Sequence, residues 1–193
     1  MELEWTDPEG LQWRGNPWYN VVMERTKYVM SFCTNKYVLD SCCGCGWSTR
    51  KIADVAKMVI GIDISGEAIK VAEDKYSADN TTYLQMDSIC MDFKNNTFDT
   101  IVSLEAIEHF SKKDVHTYLA ENKRVLKSGG MFVGSTPRAK TFIHEILYRR
   151  RNIYHKKIYN KKSLACLLGK YFTNIKIIEK KQNNYLLFYC EKP

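Results

Sequence analysis

The residues best suited to chemistry fall in two groups. One is a turn of small residues between Val38 and Thr49, VLDSCCGCGWST, where Gly44 and Gly46 let a backbone approach a ligand closely. The other is LEAIEHF, residues 104–110, which carries Glu105, Glu108 and His109. These three are spaced i, i+3 and i+4, so a helix over the stretch would set them on one face. An imidazole titrates near neutral pH, which suits it to take a proton from a hydroxyl acceptor. Glu108 and His109 are therefore the candidate catalytic pair.

The turn has the form of a nucleotide-cofactor loop: an apolar run ending in an acid, a tight bend, then polar residues that open a helix. Gly44-x-Gly46-x-x-Thr49 even mimics a dinucleotide loop. Asp40 argues otherwise, because a carboxylate at the loop mouth repels a pyrophosphate and suits the ammonium and sulfonium of S-adenosylmethionine. Further acids follow in series. Asp40 ends the first strand and Asp63 the second, while Asp87 follows the third and Glu105 the fourth. Asp63 is spaced to accept from both ribose hydroxyls, and Asp87, with Ser88 beside it, from an exocyclic adenine amine. Ile64 and Met86 would wall the ring. Any one such acid could merely cap a helix or a turn, but four at successive strand ends argue for a ligand edge.

The elements that must position these groups alternate. After the loop come a helix at 48–55, a strand at 58–64, a helix at 67–76, a strand at 81–86, a strand at 98–104, a helix at 113–126 and a strand at 129–136 introduced by glycines. Such alternation predicts parallel pairing through right-handed crossovers. The tail predicts helices at 143–148 and 162–168 and two strands joined by a short turn at 181–184, which must be an antiparallel hairpin. The fold class is α/β: a Rossmann-like, mostly parallel sheet with the last strand antiparallel and helices on both faces. Ahead of it, residues 1–35 read as an arm with Trp5 and Trp13, then a helix capped by Asn16 with Pro17 at its first position. That helix either forms a lid over the site or packs on the sheet edge. Residues 36–193 form the main domain, and His116 and His144 read as surface or helix residues.

Composition bounds the rest. At 193 residues, 45% hydrophobic and 12% aromatic, the chain suits one globular domain. No apolar run approaches the roughly 20 residues of a membrane helix, and the acidic start is unlike a signal peptide, so the expected location is cytoplasmic. The seven cysteines lack paired metal spacing, and reduced thiols are expected; Cys42, Cys43 and Cys45 read as small residues filling the turn rather than as a soft-metal cluster. Charge is uneven. Residues 1–110 carry 10 basic and 17 acidic side chains, and residues 111–193 carry 19 basic and 5 acidic. The densest run, Arg149 to Lys162, has seven cations and no acid. It reads as a solvated face, with a nucleic-acid surface as the alternative.

The motifs VLDSCCGCGWST, VIGIDISGEAIKVA, YLQMDS, FDTIVSLEAIEHF and RVLKSGGMFVGSTPR, in that order, resemble those of class I S-adenosylmethionine-dependent methyltransferases over about residues 20 to 193. Small single-domain members such as ubiquinone-pathway O-methyltransferases and small-RNA 2′-O-methyltransferases share the Glu-x-x-Glu-His stretch. The resemblance implies a seven-stranded sheet and S-adenosylmethionine as cofactor, with the backbone around Ser41, Gly44 and Gly46 holding its methionine part. It places Asp40, Cys42, Asp63, Ile64, Met86, Asp87, Ser88 and Glu105 on the cofactor as well. Cys42 stands where the family usually has glycine. The expected acceptor is a hydroxyl oxygen of a small molecule; RNA or another polyanion, met through the basic tail, is the alternative. A cofactor-binding scaffold without an acceptor site fits an intact Glu-x-x-Glu-His poorly. Metal-dependent members further imply a divalent cation held by Glu105, Glu108 and His109 with His155, a reading set behind a simple acid/base role. Trp47 is expected in the core.

Overall fold

The computed structural model describes residues 17–140 and 154–193. Trp5, Trp13, Asn16, the helix expected at 143–148, His144 and the cations Arg149, Arg150 and Arg151 lie outside these residues.

The described chain runs α1 (Pro17–Met30), β1 (Tyr37–Ser41), α2 (Trp47–Ala53), β2 (Met58–Asp63), α3 (Gly66–Tyr76), β3 (Thr81–Gln85), β4 (Phe98–Leu104), a 3₁₀ turn (Ile107–His109), α4 (Asp114–Val125), β5 (Leu126–Pro137), α5 (Lys161–Leu168), β6 (Thr173–Lys180) and β7 (Tyr185–Glu191). Seven strands form one sheet in the order β3-β2-β1-β4-β5-β7-β6. β7 runs antiparallel to both β5 and β6, and the other pairs are parallel. The expected fold class holds, including the reversed last strand. Strand order turns back between β1 and β4, so the crevice at their carboxyl ends is where this architecture takes a ligand.

Local chemistry explains the helix ends. Pro17 opens α1, where its missing N–H costs nothing. The Ser65 hydroxyl accepts the Ala68 N–H at the start of α3. Asn160 and Ser163 form a reciprocal capping box on α5. The bend before β5 is not a separate turn as expected. β5 begins at Leu126 directly after α4, and Gly129, at φ 73°, takes up the register shift against β4.

The sheet is covered on both faces. Val38, Val102 and Val133 pack with Val29 of α1 and with Ile52 and Ala53 of α2. Leu39, Ile101 and Phe132 point the other way, toward Tyr118 and Leu119 of α4 and Leu164 and Leu168 of α5. Strand alternation produces this division, and each fully buried side chain of this size contributes about 1.5 to 3 kcal/mol. α3 closes the far side of the cofactor loop: Ile69, Ala72 and Tyr76 pack with Cys43, Cys45, Tyr83 and Trp47, which puts Trp47 in the core as expected. α1 lies over the β7 side, where Val21 meets Tyr185 and Leu187. No helix among the described residues is long and apolar enough to cross a membrane.

Candidate functional site

The cofactor loop leaves β1 in a series of left-handed backbones: Cys42 at φ 65°, Gly44 at 55° and Gly46 at 82°. Gly46 is required twice over. Besides its φ, a Cβ there would stand 2.6 Å from Ala72 Cβ and 2.7 Å from Tyr83 Cε1. The family's glycine at position 42 is thereby explained, since that residue too is left-handed, and the cysteine must bear the strain. The Cys42 Sγ lies 3.3 Å from Ser88 Oγ, tying this loop to the one after β3. Burial pushes the Cys42 thiol up to about 12, which makes it a packing group rather than a nucleophile. Among the described residues the thiols are free, as expected of reduced cysteines.

Asp40 turns away from the open edge. Its Oδ2 accepts from Ser48 Oγ at 2.9 Å and Thr49 Oγ1 at 2.7 Å, and the residue is buried. It fastens the loop to the start of α2 instead of standing exposed at the mouth. Burial, against the two hydroxyl donors, pushes its carboxyl up to about 6.

Asp63 stands at the end of β2, half-buried beside the loop. Its Oδ2 accepts the Gly44 N–H and its Oδ1 the Ser65 N–H, each at 2.9 Å. Both oxygens are thus aimed by backbone donors, and each keeps a lone pair for a hydroxyl. The neighbouring Ile64 is 67% exposed, an apolar side chain left bare at the crevice rim. After β3, Met86 donates its N–H to the Asp63 carbonyl, and Asp87 Oδ1 accepts the Ile89 N–H at 3.1 Å. Ser41, Gly44, Asp63, Ile64, Met86, Asp87 and Ser88 therefore come from the carboxyl ends of adjacent strands β1, β2 and β3.

Residues 105–109 do not form the expected helix. Only Ile107–His109 make a 3₁₀ turn, and Glu105 sits before it at φ 50°. Glu105 and Glu108 consequently part company. Glu105 Oε1 accepts from Ser135 Oγ at 2.7 Å, and Oε2 pairs with Arg25 of α1 at 3.1 Å. The Arg25 guanidinium also lies 4.5 Å over the Tyr185 ring. Glu105 thus anchors α1, and the helical face expected to carry it beside Glu108 and His109 does not form. Arg25, between Val21 and Val29 on the buried stripe of α1, is the contact sequence reading missed. A lone arginine at i+4 and i−4 from buried valines was the available signal.

Glu108 is fully buried. Its Oε2 accepts from Thr136 Oγ1 at 2.9 Å, and its Oε1 has no hydrogen-bond partner, with His109 Nε2 at 4.0 Å. Burial, and then the nearby negative charge of Glu105, hold this carboxyl well above the usual range. The Glu108 carbonyl accepts the N–H groups of Lys156 and Lys157, at 2.8 and 3.1 Å, which brings the segment before α5 across the turn. That segment is also tied to the chain after β5 by an Arg138–Tyr159 bridge. His155 is thereby delivered beside His109, with ring centroids 5.0 Å apart. One donor atom each from Glu108, His109 and His155 fall within 4.8 Å of one another. Burial, then His109, lower the His155 imidazole to about 4, so it is neutral at physiological pH. Two imidazole nitrogens and a carboxylate oxygen are a donor set that fits a divalent cation. His116 stands apart, with Nδ1 2.8 Å from the Tyr171 hydroxyl.

A mostly parallel seven-stranded sheet covered on both faces, with a glycine loop after β1 and an acid ending β2, is consistent with a Rossmann-like methyltransferase fold. Residues 38–130, a little under half of the chain, match the family model described as a methyltransferase domain. A probable S-adenosylmethionine-dependent methyltransferase of Mycolicibacterium smegmatis is 31% identical over 110 residues, 57% of this chain and 41% of the relative. A 2-methyl-6-phytyl-1,4-hydroquinone methyltransferase of Synechocystis is 37% identical over 98 residues, 50% of this chain and 30% of the relative. The chain spans less than half the length of these relatives. Among solved structures, the N-methyltransferase NodS of Bradyrhizobium japonicum, in complex with S-adenosyl-L-homocysteine, superposes with a TM-score of 0.75 at 19% identity, covering 100% of this chain and 95% of that one.

Proposed function

We propose that the protein transfers a methyl group from S-adenosylmethionine to a hydroxyl oxygen of a small molecule. The observation that carries the reading is the placement of two groups on one sheet edge. Asp63, aimed by the Gly44 and Ser65 amides, faces the crevice on the β1–β2 side, and the Glu108–His109 turn stands at the end of β4 next to β1. The cofactor supplies an activated methyl; the protein must bind it, hold the acceptor in line, and manage the acceptor's proton.

On this reading, Asp63 takes the ribose hydroxyls, Ile64 and Met86 flank the adenine, Asp87 accepts from its amine, and the left-handed loop from Ser41 to Gly46 leaves room for the methionine part. His109, 30% exposed, receives the acceptor's proton. Glu108, pinned by Thr136, orients that imidazole. The similar proteins include an N-methyltransferase and a hydroquinone methyltransferase, so oxygen as the target rests on His109 rather than on likeness.

A second reading has one observation in its favour. The segment carrying Lys156 and Lys157 crosses the Glu108 turn itself, so its cations border the acceptor side and would suit a polyanion such as RNA. Transfer of labelled methyl from S-adenosylmethionine into separate pools of phenolic or sugar hydroxyl compounds and of RNA tests the two together. Label in the hydroxyl pool alone supports the first; label in RNA alone replaces it with the second.

A further inference from the structure

We infer that the first half of α1, residues 17–25, is a strap across the cofactor crevice, latched to the β6–β7 hairpin at Tyr185, and that its release sets how fast S-adenosylmethionine enters and leaves. The inference rests on the reading of this sheet edge as the cofactor site.

α1 runs opposite to β4. Arg25 meets Glu105 just past the end of that strand, whereas Thr100, inside it, donates its hydroxyl to the Phe32 carbonyl beyond the other end of the helix. The head of α1 therefore points out past the carboxyl ends of the strands. Trp18, Tyr19 and Asn20, roughly 7 to 11 Å of helix before Arg25, are exposed there.

One turn of this half touches both sides of the crevice. Val22 and Met23 pack against the cluster of Cys43, Cys45 and Trp47, and Val21 meets Tyr185 and Leu187 of β7. Between β1 and β7 lie β4 and β5, a span of about 14 Å, and a helix with its side chains is about 10 to 12 Å across. α1 fills that span.

The two halves of the helix are held differently. Val29, fully buried, fixes the second half among Val38, Ile52, Val102 and Val133. The first half is tied largely by charge. Glu24 Oε1 pairs with Lys180 Nζ at 2.5 Å, Glu24 Oε2 accepts from the Tyr185 hydroxyl, and the Arg25 guanidinium lies 4.5 Å over the same ring. Tyr185 thus holds two consecutive residues of α1. The Lys180 and Glu24 side chains are 37% and 38% exposed, so water can replace their contact, and a helix half held in this way opens before its buried half. These contacts belong to the hairpin and not to the ligand. An opening to which the ligand is indifferent leaves its Kd alone and scales association and dissociation together.

The test follows S-adenosylmethionine binding to the immobilised full chain by surface plasmon resonance. Tyr185→Phe, which removes the hydroxyl and keeps the ring, and Lys180→Gln should each raise both the association and the dissociation rate at least about threefold, with Kd changed less than about twofold. Lys27→Gln, on the exposed face of α1, should leave both rates at the wild-type value. Lys180 is exposed, so its variant remains informative even where Tyr185→Phe fails to fold. In the wild type, amides of residues 21–25 should exchange with solvent at least about tenfold faster than those of 26–30. Unchanged rates in Lys180→Gln, or equal protection of the two halves, overturn the strap. A rise in dissociation alone overturns the gating and makes the hairpin contacts part of the binding pocket. Insensitive rates in a chain that binds S-adenosylmethionine remove only the strap; failure of the wild type to bind it removes the reading beneath.

Discussion

Glu105 and Glu108, three residues apart, hang from consecutive hydroxyls of one strand, Ser135 and Thr136, and so belong to opposite faces of the sheet. A left-handed backbone at Glu105 and a single 3₁₀ turn make this division, where a regular helix would have set both carboxylates side by side. One carboxylate is thereby given to α1 and the other to the cluster with His109 and His155.

The first expectation concerns the cofactor. Asp63→Ala removes the acceptor for two hydroxyls and also releases the Gly44 amide that Asp63 Oδ2 holds. S-Adenosylmethionine affinity should fall by about 1.5 to 3 kcal/mol, roughly 10- to 100-fold. Calorimetry returning the wild-type constant would remove Asp63 from the site.

His109→Ala should act on turnover and spare cofactor binding, because a group that works only in the transfer step is felt in kcat. A loss on the order of 100-fold or more in kcat is expected, with the S-adenosylmethionine Kd changed less than about threefold. Parallel losses in both constants would mark His109 as part of the cofactor pocket or of the fold.

Asp40 should leave a signature in the pH dependence of stability. Its carboxyl is raised to about 6 in the folded chain, against an ordinary value near 3.8. A raised folded-state value means that its contribution is fully present below about pH 4 and is lost as pH rises through about 6. Asp40→Asn keeps the shape and the acceptor for Ser48 and Thr49 but does not titrate. The wild type should therefore lose about 2 to 3 kcal/mol relative to this variant between pH 4 and 7. Urea unfolding of both proteins across that range measures it, and a pH-independent gap would count against the burial argument.

Arg25 and Glu105 should be coupled in stability. The pair is mostly buried, with side chains 11% and 28% exposed, and Arg25 additionally covers Tyr185. Either single replacement, Arg25→Ala or Glu105→Gln, should cost about 1 to 3 kcal/mol, and the double replacement less than their sum. Hydrogen exchange should quicken in α1 in both singles. Strict additivity in denaturant unfolding would show that the contact is incidental.

Salt dependence separates the two acceptor classes. A polyanion gripped by several cations loses roughly 100-fold or more in affinity between 50 and 200 mM salt, and a neutral small molecule shows almost no slope. We expect a shallow slope for RNA, unchanged in a Lys156→Gln, Lys157→Gln variant. A steep slope that flattens in that variant would favour the polyanion.

What the sequence by itself determined is what depends on neighbours in the chain. Strand and helix periods, the glycines that need positive φ at 44 and 46, and acids at successive strand ends are set within a few residues, and a parallel alternation then admits few topologies. Tertiary structure decided what depends on distant partners. Asp40 has the same sequence look as Asp63, yet the turn of α2 back over β1 buries it under Ser48 and Thr49 while Asp63 stays at the rim. Arg25 meets Glu105 only because α1 packs over β7, and His155 reaches His109 only because two amides of its segment bond the Glu108 carbonyl. Helical spacing wrongly joined Glu105 to Glu108, because hydrogen bonds from Ser135 and Thr136, about 30 residues away, outweigh the weak local preference of a five-residue stretch for a helix.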